Sequence, residues 1–187
     1  MPRQSPRITP MPLSEVSDAD MALFGGRDSP RNQLNFFKVL VQNAALLKKY
    51  EPLAMQLGRE PTIPPRDKEV LILRTSTLCG ETYEIAHHLF IARQAGMSDE
   101  EIEEAKHGGA GLPPFEQALM RAAEELVRDH CISDKTWAVL ADRYTNSQLI
   151  EVVFMVANYT LLAMINNSLG IYPEDQIEHT WKPTDAN

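Results

Sequence analysis

Apolar residues recur at helical spacing along most of the chain. From Asn35 onward they occupy Phe36, Phe37, Leu40, Val41, Ala44, Leu47 and Tyr50. This is the i, i+3, i+4 pattern of a helix that buries one face. Pro52 lacks a backbone donor, so we expect it to kink or divide this segment, which resumes to about Leu57. No stretch shows sustained alternation of period two, and the pattern therefore predicts an all-α protein.

Capping residues and prolines mark the ends of the other expected helices. These cover residues 14–24, 65–77, 82–95 (or from 81), 98–107, 114–130, 134–144 and 147–169. Pro65 suits the first turn of its helix. Ser98 and Glu101 have the spacing of a capping box, and Gly170 is suited to end the last helix.

The first 30 residues differ in composition from the rest. Residues 1–13 contain four prolines, which is typical of an extended arm that is ordered only against another surface or subunit. We expect residues 1–30 to form this arm and a short helix, and a neighbouring subunit is one surface that the arm could wrap. Residues 31–187 are expected to form a single all-helical domain.

Composition and charge exclude several kinds of partner. The chain has 187 residues, 43% of them hydrophobic, which is enough for a core without disulfide or metal staples. Its net charge of −8 disfavours nucleic acid and an anionic membrane surface, but not a small anionic substrate in a pocket of its own. The apolar stretch 149–169 includes one glutamate and three asparagines, which indicates a buried helix rather than a membrane span.

The two cysteines, Cys79 and Cys131, belong to no C-x-x-C pair. Neither a zinc ribbon nor a dithiol redox centre is therefore expected. Residues 1–6 also lack the apolar region of a secretory signal. Free thiols without a signal predict a cytoplasmic protein.

The segment 80–89 carries the most distinctive polar pattern. On one helix, Glu81, Glu84 and His88 would fall within an arc of about 60° on a face that small apolar residues flank. Carboxylates and an imidazole held together away from water can supply a proton donor and an acceptor at neutral pH. The alternative is an ordinary polar stripe with a Glu84–His88 helical pair.

Residues outside this face extend the candidate site. A hairpin at residues 79–80 would bring Glu69 beside His88, although a glutamate in a first turn is also favoured by the helix dipole. Arg74 is a candidate for binding a substrate carboxylate, or else forms a plain ion pair. Further candidates for substrate binding are Tyr83, His87 and Asn158; Asn158 could equally be a hydrogen-bonded core residue.

A metal site is the second interpretation of the same region. Residues 84–87 and 104–107 both fit E-x-x-H, which di-iron helical bundles use twice. The glutamates of 100–104 are more typical of a solvated surface. We therefore expect no metal site.

Three segments carry a family resemblance: residues 65–74, 81–88 and 92–102. They resemble the carboxymuconolactone decarboxylase family, which shares the alkylhydroperoxidase D-like (AhpD-like) helical bundle. Tyr159, Asn167 and Gly170 fit the family's terminal helix. The resemblance implies an all-helical fold that oligomerises, commonly as a trimer or hexamer.

The peroxidase branch of that family has two cysteines between its glutamate and its histidine. Counted from Glu69, the cysteine positions hold Glu81 and Glu84, and the histidine position holds His88. A carboxylate cannot cycle through a thiolate and a disulfide. The resemblance thus supports a proton-transfer site and excludes a dithiol peroxidase.

By this resemblance we expect a cofactor-free lyase of the carboxymuconolactone decarboxylase type, acting on a small carboxylated lactone or aromatic-derived compound in aromatic catabolism. His88 and Glu84 would exchange a proton with the substrate, Glu69 would orient His88, and Glu81 would be an additional acid. The alternative is a non-catalytic helical oligomer that binds a small ligand or a partner protein. A peroxidase-related or metal-dependent enzyme is less favoured.

The last helix predicts the assembly. It is apolar around most of its circumference and so needs cover on all sides, which a neighbouring subunit can supply. We therefore expect a homo-oligomer. The resemblance points to a trimer or a trimer-based hexamer, and a dimer remains open.

Overall fold

The computed structural model describes residues 5–174, and that part of the chain contains helices and no strands. The α-helices are α1 Asp18–Met21, α2 Asn35–Leu40, α3 Ala44–Arg59, α4 Pro65–Leu78, α5 Tyr83–Gln94, α6 Asp99–His107, α7 Pro114–Asp129, α8 Asp134–Ala141 and α9 Asn146–Leu169. Short 3-10 helices cover Leu13–Glu15, Ala22–Phe24, Pro30–Gln33 and Val41–Asn43. The prediction of an all-α protein is confirmed.

The chain forms two compact units, and the predicted division at residue 30 stays a prediction. The first unit comprises Met1–Met55 and Ile165–Asn187, and the second comprises Gln56–Met164. Within the first unit, the N–H of Met11 donates to the Lys38 carbonyl at 2.9 Å. The Phe24 and Phe37 rings stack at 5.6 Å. These contacts tie the N-terminal arm to residues that follow position 30.

The described part of the arm lies on its own chain, and its contact with a neighbouring subunit stays a prediction. The N–H groups of Arg7 and Ile8 donate to the Leu169 carbonyl at 2.9 and 3.3 Å. They satisfy a carbonyl at the C-terminus of α9, where the last carbonyl groups of a helix have no donor within the helix. Gly170 ends the helix with φ 70°, and a Cβ there would come within 3.0 Å of Pro6 Cα. Residues 1–4 of the predicted arm lie outside the described residues.

Pro52 does not divide its helix, so of the two predicted effects, a kink or a division, the division is wrong. Helix α3 runs from Ala44 to Arg59 with Pro52 inside it. Proline deprives one carbonyl in the preceding turn of its donor. Lys48 and Lys49 in that turn are exposed, so water can satisfy the carbonyl.

Helix α4 is the central element of the second unit and packs against α5, α6 and α7. Val70, Leu71, Ile72 and Leu73 are fully buried, with exposures of 0%. A helix buried on all sides has no solvated face for charged residues. Any charge on α4 at this level must therefore find a partner inside the protein.

Glu151 of α9 anchors the segment that leads into α4. Its carboxylate accepts the N–H and the hydroxyl of Thr62 at 2.8–2.9 Å, and the N–H of Ile63 at 3.2 Å. Only 9% of Glu151 is exposed. The loop before α4 is thereby held by one buried carboxylate.

Among the described residues, α9 is the one helix long and apolar enough to cross a membrane by length and composition. Its polar residues Glu151, Asn158 and Tyr159 are buried inside the protein, as in a core helix. Its exposed side is apolar and repeats at alternating spacings of four and three residues: Ile150, Phe154, Ala157, Leu161 and Met164. That spacing is typical of a seam between helices, and we name these five residues the α9 stripe.

We expect the α9 stripe to mediate self-association. The double variant Phe154→Glu/Leu161→Glu places two charges in a seam between subunits, so it should sediment as a monomer where the wild type is an oligomer. Both side chains are about half exposed (50% and 42%) in the single chain, so the monomer should keep its fold. Light scattering and circular dichroism measure the two effects.

Val139→Glu on α8 is the matched control, because Val139 is 40% exposed and lies outside the stripe. It should leave the oligomer intact. A wild-type mass of 21.1 kDa at micromolar concentration would contradict the prediction.

Candidate active site

A tight turn between α4 and α5 brings the carboxylate of Glu69 close to the imidazole of His88. Gly80 adopts φ 60°, a left-handed conformation that glycine reaches without strain. The N–H of Glu81 then donates to the Ser76 carbonyl at 2.9 Å. The reversal places Glu69 of α4 beside His88 of α5, as the hairpin predicted.

Glu69 and His88 form a buried hydrogen-bonded pair. The distance from Glu69 Oε2 to His88 Nδ1 is 2.6 Å, and the two residues are 0% and 6% exposed. The other oxygen, Glu69 Oε1, receives no hydrogen bond from the described residues; its charge partner is Lys68 Nζ at 3.3 Å. Lys68 Nζ also donates to the Gly58 carbonyl at 2.9 Å, in the last turn of α3. A buried carboxylate is tolerated when it is paired in this way.

Two further groups approach the opposite nitrogen of His88. The hydroxyl of Tyr159 lies 3.1 Å from His88 Nε2, and the two rings meet edge to face at 5.3 Å. Glu84 Oε2 lies 3.7 Å from the same nitrogen, and its side chain is 12% exposed. The structure thus brings Glu69, Glu84 and His88 together as predicted and adds Tyr159.

Glu81 does not share the face of Glu84 and His88, so that part of the interpretation is wrong. Helix α5 begins at Tyr83, and Glu81 lies before it. The carboxylate of Glu81 accepts the N–H groups of Tyr83 and Glu84 at 2.6 and 2.7 Å. Backbone donors at the start of a helix lack partners of their own, so Glu81 caps α5 and fixes the position of Glu84.

Arg74 is not near this cluster. Its Nε and one terminal nitrogen bind Glu124 Oε1 of α7, and the other terminal nitrogen donates to the Lys106 carbonyl. Five residues along a helix correspond to a rotation of about 500°, so Arg74 and Glu69 point roughly 140° apart. The structure therefore separates the predicted carboxylate-binding residue from the histidine.

The remaining predicted binding residues occupy different positions around the cluster. Tyr83 is buried, and its ring lies 4.7 Å from the ring of the half-buried His87. Asn158 is buried on α9, next in sequence to Tyr159. Two sequence signals pointed to Tyr159: it is a polar residue inside the apolar α9, and it fits the terminal helix of the resembled family. Its contact with His88 spans 71 residues of chain and could not be inferred from spacing.

Both cysteines are free thiols; Cys79 is half-buried and Cys131 is exposed. Burial raises the pKa of the Cys79 thiol above its ordinary value; the nearby charge of Glu81 adds to this, and a hydrogen bond with Thr160 opposes it. Because the thiolate is the reactive form, Cys79 is a poor nucleophile at neutral pH.

We expect iodoacetamide to alkylate Cys131 well before Cys79 at pH 7. Cys131 is accessible, whereas Cys79 is half-covered and its thiolate is disfavoured. Mass spectrometry of tryptic peptides over time measures both rates, and the denatured protein gives the reference in which they converge. Faster alkylation of Cys79 would contradict the assignment.

Among residues 5–174, no three or more His, Cys, Asp or Glu side chains are grouped so as to hold a metal ion. His107 of the second E-x-x-H motif faces Glu103 at 3.8 Å, and Glu104 Oε2 accepts the N–H of Gly111. The two motifs do not converge within the described part of the chain.

A cavity of about 240 Å³ lies between the loop 108–110 and α7, lined by Gln117, Met120, Arg121 and Glu124. None of the residues of the buried cluster lines it. The buried cluster and this cavity are therefore separate. The candidate active site is identified by its hydrogen-bond geometry and not by this cavity.

The sequence of residues 44–125 matches the model of the carboxymuconolactone decarboxylase family. The match covers less than half of the chain and shows that this segment is similar to that family. It contains Glu69, Glu84 and His88, while Tyr159 lies beyond the matched carboxymuconolactone decarboxylase residues. No curated protein sequence matches the chain.

Solved structures share the fold of the whole chain at low sequence identity. An uncharacterized peroxidase-related protein with an alkylhydroperoxidase AhpD core, from Ralstonia eutropha JMP134, is 15% identical with a TM-score of 0.80 over 94% of this chain and 95% of its own. A peroxidase-related protein from Silicibacter sp. TM1040 is 12% identical with a TM-score of 0.79, over 95% and 96%. A cysteine-to-alanine variant of the debrominase Bmp8, in complex with 2,3,4-tribromopyrrole, is 17% identical with a TM-score of 0.76, over 95% and 96%. The AhpD-like fold predicted from the sequence is confirmed.

Proposed function

We propose that this protein is a cofactor-free proton-transfer enzyme, a lyase of the carboxymuconolactone decarboxylase type that acts on a small carboxylated lactone or aromatic-derived compound. The observation that carries the proposal is the Glu69–His88 pair, buried and joined at 2.6 Å. The similarity of residues 44–125 to the family supports it. The cytoplasmic location stays a prediction.

The pair has the geometry of a histidine base with its orienting carboxylate. An ionised Glu69 can only accept, so Nδ1 of His88 carries a hydrogen and the proton-exchanging atom is Nε2. A carboxylate on Nδ1–H fixes the ring and stabilises the imidazolium that forms when Nε2 takes up a proton. Glu84, at 3.7 Å from Nε2 and partly exposed, is the group that we assign to exchange protons between His88 and water.

Decarboxylation needs one proton and no redox partner. The bond to the carboxylate carbon breaks, carbon dioxide leaves, and the bonding electron pair moves into an adjacent unsaturated carbonyl of the substrate. The proton held at His88 Nε2 is then delivered to carbon, and Nε2 recovers a proton from water through Glu84. General acid–base catalysis of this kind contributes a factor of about 10² to 10⁴.

The test is release of carbon dioxide from carboxymuconolactone and a panel of related carboxylated lactones. We expect turnover by the wild type, and losses of about a hundred-fold or more in His88→Gln and Glu84→Gln. His107→Gln is the matched control, because its side chain is 63% exposed on α6. Full activity in His88→Gln would overturn the proposal.

The second candidate is a non-catalytic helical oligomer that binds a ligand or a partner protein. The exposed apolar α9 stripe favours it. In that case His88→Gln would leave assembly unchanged and no lactone of the panel would be turned over.

A further inference from the structure

Four buried side chains from three helices form a continuous polar chain. Lys68 Nζ lies 3.3 Å from Glu69 Oε1, Glu69 Oε2 lies 2.6 Å from His88 Nδ1, and His88 Nε2 lies 3.1 Å from the Tyr159 hydroxyl. Their exposures are 8%, 0%, 6% and 5% along the chain. This series of contacts begins at the amino group of Lys68 and ends at the phenol of Tyr159.

The direction of each hydrogen bond follows from its donors and acceptors. The carboxylate of Glu69 accepts from Nδ1–H, so in the neutral imidazole Nε2 is an acceptor. The Tyr159 hydroxyl must then donate to Nε2. When Nε2 is protonated, the same contact reverses: Nε2–H donates to the phenol oxygen, and the phenol O–H is directed elsewhere.

The contact between the Tyr159 hydroxyl and His88 Nε2 also determines which of these two groups hydrogen-bonds the substrate. Both ring nitrogens of His88 already have partners. A substrate cannot hydrogen-bond Nε2 without displacing the Tyr159 hydroxyl. A phenol can accept one proton while it gives up another, so it can pass a proton on without leaving its place.

We infer that Tyr159 is a catalytic residue: its hydroxyl transfers the proton between His88 Nε2 and the substrate, with Glu69 and His88 as the relay behind it. This inference rests on the proposed function and names the group that touches the substrate. The arrangement resembles a triad of nucleophile, base and orienting acid. Glu69 orients the ring, His88 is the base, and the phenol of Tyr159 takes the place of the nucleophile.

The step balances in atoms and charge. As carbon dioxide leaves, the phenol O–H bond breaks and its proton bonds to the substrate carbon. The proton on His88 Nε2 passes to the phenol oxygen at the same time. Tyr159 and His88 both end neutral, with the hydroxyl donating to Nε2, and one proton from water restores the imidazolium.

The test compares two tyrosines of equal burial. Tyr159 and Tyr144 are each 5% exposed, and the Tyr144 hydroxyl donates to Asp67, outside the relay. Decarboxylation of carboxymuconolactone should fall about a hundred-fold in kcat for Tyr159→Phe, with KM nearly unchanged. Tyr144→Phe should lose thermal stability and keep its kcat.

A second measurement uses the wild type and needs no substrate. The Tyr159 hydroxyl proton should exchange slowly with water and show a nuclear Overhauser effect to the His88 ring. In Tyr159→Phe the Nε2 nitrogen should move to the chemical shift of a ring nitrogen without a hydrogen bond, while Nδ1 keeps its proton.

The outcomes distinguish a failure of the role assigned to Tyr159 from a failure of the proposed function. Full activity in Tyr159→Phe, with His88→Gln and Glu84→Gln inactive, would overturn the role of Tyr159 and leave the proposed function standing, with Glu84 as the outlet. Full activity in His88→Gln would overturn both. An Nε2 resonance that Tyr159→Phe does not move would overturn the relay directly.

Discussion

Replacing Glu69 with glutamine will lower kcat for the decarboxylation of carboxymuconolactone by about a thousand-fold. The amide oxygen can still accept from His88 Nδ1–H, but it carries no charge to stabilise the imidazolium. Lys68, 3.3 Å away, loses its charge partner at the same time. Steady-state kinetics measures the loss, and circular dichroism shows that the helices remain.

Glu116→Gln is the matched control for that variant. Glu116 is also a buried glutamate, 6% exposed, and it pairs with Arg66 at 2.7 Å outside the candidate site. It should lose stability without losing kcat. Equal kcat in Glu69→Gln and the wild type would show that the buried pair is a packing feature and not a relay.

Replacing Glu151 with alanine will destabilise the second unit by about 3 kcal/mol. The carboxylate accepts two backbone N–H groups and one hydroxyl, at Thr62 and Ile63. Hydrogen bonds to a charged group contribute about 1.5–3 kcal/mol each, and the buried N–H of Ile63 would be left without an acceptor. Urea denaturation at equilibrium measures the change in the free energy of unfolding.

Glu100→Ala serves as the control, because Glu100 lies in the first turn of α6 and is exposed. A surface substitution of this kind changes stability by about 0.5 kcal/mol or less. If Glu151→Ala were equally mild, the loop before α4 would have to be held by its other contacts, such as the donation from Gln148 to the Thr62 carbonyl.

Features that depend on neighbours in sequence were predicted well. The capping box of Ser98 and Glu101 is present at α6, and Gly170 ends α9 in the left-handed conformation. Pro52 was misjudged because the cost of proline depends on what can satisfy the freed carbonyl, which is a property of the surroundings. Glu81 was misplaced because a shift of two residues in the start of α5 removes a side chain from the helical face.

In the candidate site too, the contacts between residues near in sequence were predicted, and those between distant helices were not. Glu69 and His88 belong to one helical hairpin, so the turn at Gly80 was enough to bring them together. Tyr159 and Arg74 depend on packing between helices distant in sequence: Tyr159 reaches His88 from α9, and Arg74 is turned toward Glu124 of α7. No spacing rule within a segment encodes either contact.

The cap that Glu81 forms on α5 affects how a carboxylate site in this fold could be converted into a dithiol site. Glu81 stands where the resemblance places the first cysteine of the thiol branch. A thiol is a weak acceptor, so Glu81→Cys alone would strip two backbone donors of α5 of their partner and loosen the turn that carries Glu84. An engineered path from a carboxylate site to a dithiol site therefore has to provide for the N–H groups of Tyr83 and Glu84, which a cysteine at position 81 can accept as the thiolate.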